Sequence, residues 1–433
     1  MITPYQEFIA AKTRKHMAQG VDIPANDLHE NLFAFQRAIT SWALRKGRAC
    51  VFAGTGLGKT RMQLEYCRKI DGIRLIVAPL AVSEQTIEEA ELVFGETIRE
   101  AKGKLTESGI YIINYDRLES ISGDINAIVL DESSILKSHD GQFRNYITDR
   151  FRRTPYRLAC TATPAPNDYM ELGTHAEFVG ASTRMEMLAT YFMHDGGDTA
   201  LWRLKRHARG DFWKWVSSWA CVLSHPADIG FTDQKGYDLP PLVFHDSVVE
   251  VESGVGGGLF GDEGISATKL YASLRESATE RVAVVKQIVE RNPNEAWLIW
   301  CNTDDEQNQI EKAIPGIATV RGSDSRDAKR DRLMGFAHGQ YRHLVTKPKI
   351  AGHGMNWQHC HNMIFCGVTY SFEQMYQAIR RCWRFGQQSQ VDVHLVTCNA
   401  QDSVKSSLKA KEEAFSDMAR EMGKYCIQEV GNR

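Results

Sequence analysis

Short apolar runs recur along the chain, separated by longer stretches with helical spacing. ACVFA at 49–53, RLIVA at 74–78, IYII at 110–113, AIVL at 127–130 and RLAC at 157–160 read as buried parallel strands. Between the first two, Leu64, Cys67 and Ile70 fall three apart and predict a helix over 60–70. A second series follows: AWLIWC at 296–301, IATV at 317–320, HLV at 343–345, NMIFC at 362–366 and VDVHLVT at 391–397. Two strand–helix series predict an α/β chain with two parallel-sheet lobes, each covered by helices.

The join lies in the middle. Residues 180–225 look helical and carry Trp202, Trp213, Trp215 and Trp219 among Arg203, Lys205, Arg206, Arg209 and Lys214. These tryptophans are expected mainly in core packing. Asp238-Leu239-Pro240-Pro241 then reads as an extended crossover, and the glycine-rich 253–264 as an exposed loop. The expected organisation is a leader (1–30), a first lobe (31–180), a helical Trp-rich link (181–245), a second lobe (246–400) and a solvated C-terminal helix (401–433).

Composition narrows this little. The 433 residues are 43% hydrophobic and 24% charged, which excludes a disordered or fibrous chain. Fifty-two basic against 54 acidic residues leave −2, so any nucleic acid must be held by local basic strips. Ten cysteines without a C-x-x-C pair, mostly inside apolar runs, suit buried thiols in a reducing compartment. His359, Cys360, His361 and Cys366 match no common zinc spacing. With no signal-like N-terminus and no run of about 18 apolar residues, the expectation is a soluble protein without membrane contact.

Chemistry enters at 53–60, AGTGLGKT, directly after a strand and at the start of a helix. Thr55, Gly56, Leu57 and Gly58 would wrap backbone N–H groups around phosphate oxygens at the positive end of that helix. Lys59 would reach the β and γ phosphates, and the Thr60 hydroxyl would ligate Mg²⁺. Ala53 stands where the strict pattern has Gly. The run 127–130 ends in Asp131-Glu132, placing Asp131 to hold the metal and Glu132 to orient or deprotonate water. Loop and carboxylates together point to hydrolysis of a nucleoside triphosphate.

Further segments place the chain beside a known group. Phe35-Gln36, with Trp42 following, resembles the adenine-reading Gln motif of superfamily two helicases. Ala78-Pro79-Leu80 looks like motif Ia, Ile113-Asn114-Tyr115-Asp116 like Ib, and Thr161-Ala162-Thr163-Pro164 with Asn167, Glu171 and Leu172 like motif III and its extension. Residues 298–307 resemble motif IV, Arg321-Gly322-Ser323 the next block, 349–356 motif V, and QAIRRCWRFGQ at 377–387 motif VI. The opening Gln377 and the closing Arg-Phe-Gly-Gln resemble the Swi/Snf-like branch, in a compact bacterial or phage form. The resemblance spans about residues 32–400.

It implies two RecA-like lobes with a helical element between them, ATP and Mg²⁺ as cofactors, and ATP held between the lobes. Gln36 and Gly354 would contact the nucleotide. Gln377, Arg381 and Arg384 would act from the second lobe, Arg384 as the finger on the transferring phosphoryl group. DNA, double-stranded by preference, would run over Pro79, Asn114, Thr161, Thr163, Arg321, Ser323, Lys347, Lys349 and Gly352. Trp357 is expected in the core. Three departures fall outside the hydrolytic set: Ser134 stands where the family often has His, Pro348 where motif V usually has Ser or Thr, and Lys137-Ser138 near the family's Lys-Asn. The expected protein is a cytoplasmic monomeric motor (host cytoplasm for a phage protein), acting alone or through a recruiting protein. Two rivals remain: a strand-separating DNA or RNA helicase, and an ATP-gated DNA-binding adaptor that does not move.

Overall fold

The apolar runs become strands because each is flanked by turn formers and buried on both faces. A computed structural model describes residues 18–134, 141–165, 168–195, 198–250, 267–351 and 355–430. The calls on Lys137, Ser138, Asn167, Gly352, Gly354, the loop 253–264 and most of the leader lie outside the described residues. The chain divides into two units, Met1–Gln234 with Phe415–Arg433, and Lys235–Ala414.

In the first unit the strands are β1 (Arg48–Ala53), β2 (Ile73–Ala78), β3 (Ile98–Glu100), β4 (Gly109–Asn114), β5 (Ile125–Asp131) and β6 (Tyr156–Thr161). Strands β7 (Phe192–Asp195) and β8 (Asp198–Leu204) form a separate antiparallel hairpin, and β9 (Ala220–Leu223) returns to the main sheet. The sheet order is β3-β4-β2-β5-β6-β1-β9, with every neighbouring pair parallel. Parallel pairing requires a crossover between strands, and helices such as Lys59–Arg68, Leu80–Phe94 and Gly141–Arg150 supply it.

The stretch expected as a helical link therefore differs from that reading. It carries helices Arg184–Tyr191 and Arg209–Ser217, but also three strands, one of them in the first sheet, and its last residues, 242–245, begin a strand of the second sheet. Trp213 and Trp219 are fully buried, and Phe212, Trp215 and Tyr191 pack around them. Core packing is what Trp213, Trp215 and Trp219 do, whereas Trp202 is half-buried on the hairpin and packs against His194.

The second unit holds β10 (Leu242–Val249), β11 (Trp297–Cys301), β12 (Ala318–Thr319), β13 (His343–Thr346), β14 (Asn362–Cys366) and β15 (Val391–Cys398), in the order β10-β15-β14-β11-β13-β12. All its pairs are parallel. Val285, Val289, Ile299, Ile310, Ile364 and Val396 fill the space between the sheet and its helices. A fully buried pair, Arg281 and Glu306 at 2.5 Å, is tolerated because both ends are saturated. Arg281 also donates to Ser277 Oγ, and Glu306 accepts the N–H groups of Asn302 and Thr303. This fixes the start of helix Asp304–Ala313.

The last helix, Asp402–Val430, was expected to be solvated along its length. Its second half instead buries Met418, Met422 and Cys426 in the first unit. There Cys426 Sγ accepts the Val222 N–H at 3.4 Å on the edge strand β9, and Glu429 pairs with Lys46 at 3.1 Å. The alternating Lys and Glu occupy only the outer face. No helix among the described residues is long and apolar enough to cross a membrane. All ten cysteines are buried and form no disulfide.

Candidate functional site

The chemistry gathers at the carboxyl ends of β1, β5 and β6, where an open parallel sheet places its loops. β1 delivers the loop 54–58 into helix Lys59–Arg68. Gly56 and Gly58 have φ of 89° and 78°, a region that side chains with a Cβ rarely adopt. A Cβ on Gly58 would also meet Gln36 Nε2 at 2.2 Å. The Lys59 ammonium donates to the carbonyls of Ala53 at 2.9 Å and Gly54 at 3.4 Å, so the loop is curled around its own lysine. Thr60 opens the helix beside it, half-buried.

Gln36 lies against this loop with its amide turned inward. Its Nε2 donates to the Leu57 carbonyl at 3.0 Å and its Oε1 accepts the Phe33 N–H at 3.0 Å, and the residue is buried. In this structure the side chain braces the loop 54–58, and both groups expected to read adenine are engaged.

β5 ends on Asp131, which is 6% exposed. Gln63, one turn beyond Lys59, donates to Asp131 Oδ1 at 2.7 Å, and the Tyr115 hydroxyl donates to the Asp131 carbonyl at 2.7 Å. Burial, reinforced by the charge of Glu132, pushes the Asp131 carboxyl up to about 6, while the Gln63 hydrogen bond and Lys59 pull it down. A buried carboxylate beside a second carboxylate, Glu132, offers hard oxygen ligands of the kind a divalent cation takes. Asp131 and Thr60 are the oxygen donors that would hold Mg²⁺, and the ion would neutralise phosphate charge when bound.

Glu132 follows with φ of 51°, the one positive value outside glycine among the described residues. Its carboxylate receives Thr161 Oγ1 at 3.4 Å. Ser133 is fully buried: its N–H donates to the Cys160 carbonyl at 2.8 Å, and its hydroxyl is hydrogen-bonded to His175 Nε2 at 3.0 Å. Gln63, Tyr115, Ser133 and His175 are the site residues that sequence reading missed. Tyr115 lay inside a quoted motif and Ser133 directly after Glu132, but nothing local pointed to Gln63 or His175.

In the second unit, helix Phe372–Ile379 leads into the arginine segment. Arg381 is buried, donating through Nε to the Gln377 carbonyl at 3.0 Å and through its guanidinium to the Met355 carbonyl at 3.2 Å. Arg384 also donates to Met355, at 3.3 Å, but is only half-buried. Gln377 is 2% exposed, and its main chain holds Arg381. The closing Gln387 is the most connected side chain here. Its Nε2 donates to the carbonyls of Gln358, Cys360 and Cys382, and its Oε1 accepts from Gln388 and Ser389.

The expected nucleic-acid contacts divide. Pro79 caps helix Leu80–Phe94, Asn114 ends β4, and Ser323 and Lys349 are exposed, as a track would require. Thr161 and Thr163 are instead fully buried, because β6 lies between β1 and β5 and turns its last hydroxyl toward Glu132. Lys347 is paired with Asp304 at 2.7 Å and Arg321 with Glu311 at 2.6 Å, so neither is a free cation. Trp357 is buried, donating to the Leu333 carbonyl and packed edge-on against Phe336.

Two family models match the chain: "Type III restriction enzyme, res subunit" over residues 1–166, and "Helicase conserved C-terminal domain" over residues 280–386. No curated protein matches it. The first match contains the phosphate loop and Asp131–Glu132, and the second runs through the arginine segment to Gly386. One match in each half, on two parallel-sheet α/β domains, indicates a superfamily two helicase-like ATPase.

Proposed function

We propose that the protein is an ATP-dependent translocase on double-stranded DNA, of the Swi/Snf-like kind, using Mg²⁺. The observation that carries this reading is the arrangement at the carboxyl end of one sheet: the Lys59 loop after β1 and the Asp131–Glu132 pair after β5. Lys59 would exchange the Ala53 and Gly54 carbonyls for phosphate oxygens. Glu132 would orient or deprotonate the attacking water, and Arg384 would stabilise charge on the transferring phosphoryl group. Gln387 favours the branch assignment, since the Gln that closes the Swi/Snf-like motif has a defined task here, binding residues 358–360 to the arginine segment. Stepping would follow from nucleotide states that differ in their affinity for DNA.

The test measures ATP turnover with no nucleic acid, single-stranded DNA, duplex DNA and RNA. Duplex DNA should stimulate most, and the protein should displace the third strand of a triplex without separating a duplex. Stimulation by RNA alone, or displacement of a duplex strand, overturns the duplex-translocase reading.

A further inference from the structure

Glu132 poses a physical question. A non-glycine residue at positive φ is strained and persists only where neighbours over-determine it. On one side Asp131 is held at its side chain by Gln63 and at its carbonyl by Tyr115. On the other side Ser133 is held at its N–H by the Cys160 carbonyl and at its hydroxyl by His175. With both neighbours pinned, the backbone between them has one course, and the Glu132 side chain leaves it in one direction, toward Thr161.

We propose that His175 is a positioning residue for ATP hydrolysis: by holding Ser133 it aims Glu132, and by packing on β1 it registers that carboxylate to the phosphate loop. His175 stands on helix Leu172–Val179, 42 residues from Ser133, and is fully buried. Its ring meets Phe52 edge-on, with centroids 5.0 Å apart and planes at 82°. Phe52 is the penultimate residue of β1, two positions before the loop opens at Gly54. One imidazole thus touches the strand that delivers the phosphate loop and the turn that carries the carboxylates. Ser134, the position where the family often has His, lies next to the residue that His175 grips. The imidazole comes from a different part of the sequence.

Hydrogen bonding and packing can be separated by substitution. His175→Leu keeps an apolar body against Phe52 and removes the bond; Ser133→Ala removes it from the other side; His175→Gln keeps a polar atom able to reach Ser133. The inference rests on the ATPase reading above, so wild type and Lys59→Ala are assayed in parallel. His175→Leu and Ser133→Ala should each lower kcat about 5- to 20-fold with the KM for ATP within about twofold, as expected for loss of one buried orienting hydrogen bond. The double variant should be no worse than either single one, because both remove the same contact. His175→Gln should recover most of the rate. Equal kcat in wild type and both single variants overturns the inference and leaves the ATPase reading intact. A parallel loss of kcat, ATP affinity and thermal stability that His175→Gln does not rescue also overturns it, since that marks a merely structural histidine. Absence of hydrolysis in wild type overturns the ATPase reading and this inference together.

Discussion

The turn that carries Asp131 and Glu132 and the segment that carries Arg381 and Arg384 are built on opposite principles. In the first, side chains hold side chains: Gln63 on Asp131, His175 on Ser133, Thr161 on Glu132. In the second, the arginines are held by main-chain carbonyls, Met355 and Gln377. A carbonyl acceptor survives any substitution at its own position, whereas a side-chain partner does not. The carboxylate turn should therefore be sensitive to changes at residues that never touch ATP. The arginine segment should be sensitive at the arginines themselves and at Gln387, whose side chain ties residues 358–360 to it.

That contrast can be broken or sharpened in two ways, and a third measurement probes the second unit apart from it. The largest effect is expected from Arg384→Ala, which should lower kcat by about 10³-fold while leaving ATP affinity within a few-fold, the pattern of a group acting in the transition state. Arg381→Ala removes a buried tie between the Gln377 and Met355 carbonyls, so it should also lower the melting temperature. If Arg384→Ala weakens ATP binding as much as turnover, the finger assignment fails.

A smaller effect is expected from Gln63→Leu. Loss of the 2.7 Å hydrogen bond should push the Asp131 carboxyl further above its present value of about 6. At neutral pH less of it would be ionised, and the Mg²⁺ concentration for half-maximal ATPase should rise about tenfold or more, as for other supports of metal-binding carboxylates. An unchanged Mg²⁺ requirement would mean that Asp131 needs no such support, and the contrast between the two regions would weaken.

The smallest effect concerns stability, away from both segments. His394 on β15 stacks on His245 of β10 with centroids 4.6 Å apart. Burial first, then His245 and Arg291, lower its pKa to about 4 against an ordinary 6.5, with Asp392 opposing them. The unfolded chain therefore binds more protons than the folded one between these values. Stability from this group is complete above pH 6.5 and declines as pH falls toward 4. The urea midpoint of the second unit should drop between pH 7 and pH 5, and His394→Gln should shrink that drop; an equal drop in the variant would assign the pH dependence elsewhere.

Much of this architecture was legible in the residues because burial on both faces of a parallel sheet forces continuous apolar runs. ACVFA, AIVL and NMIFC became β1, β5 and β14 within two residues. Five strands escaped: the three-residue β3, the hairpin pair β7 and β8, and β9 and β10. β9 is only four residues long and follows Trp219 directly, so its apolar run merges with the helix before it. β10 lies at a sheet edge, where HDS interrupts the apolar pattern and exposed residues weaken it. At the site, Lys59, Asp131 and Glu132 were visible because phosphate and metal chemistry restrict residue type and spacing. Gln63 and His175 were not, since their partners lie 68 and 42 residues away and only the folded sheet brings them together. The burial of Thr161 and the neutralised Lys347 were hidden for the same reason.

The edge of the first sheet is closed by residues made after the entire second unit. During synthesis, the Val222 N–H and the Lys46 ammonium must wait for Cys426 and Glu429, roughly two hundred and almost four hundred positions downstream. A nascent chain stopped at residue 234 would carry an open strand edge, β9, able to recruit a foreign strand. Separating the first unit for study therefore calls for grafting the tail 415–430 back onto it, not for a simple cut.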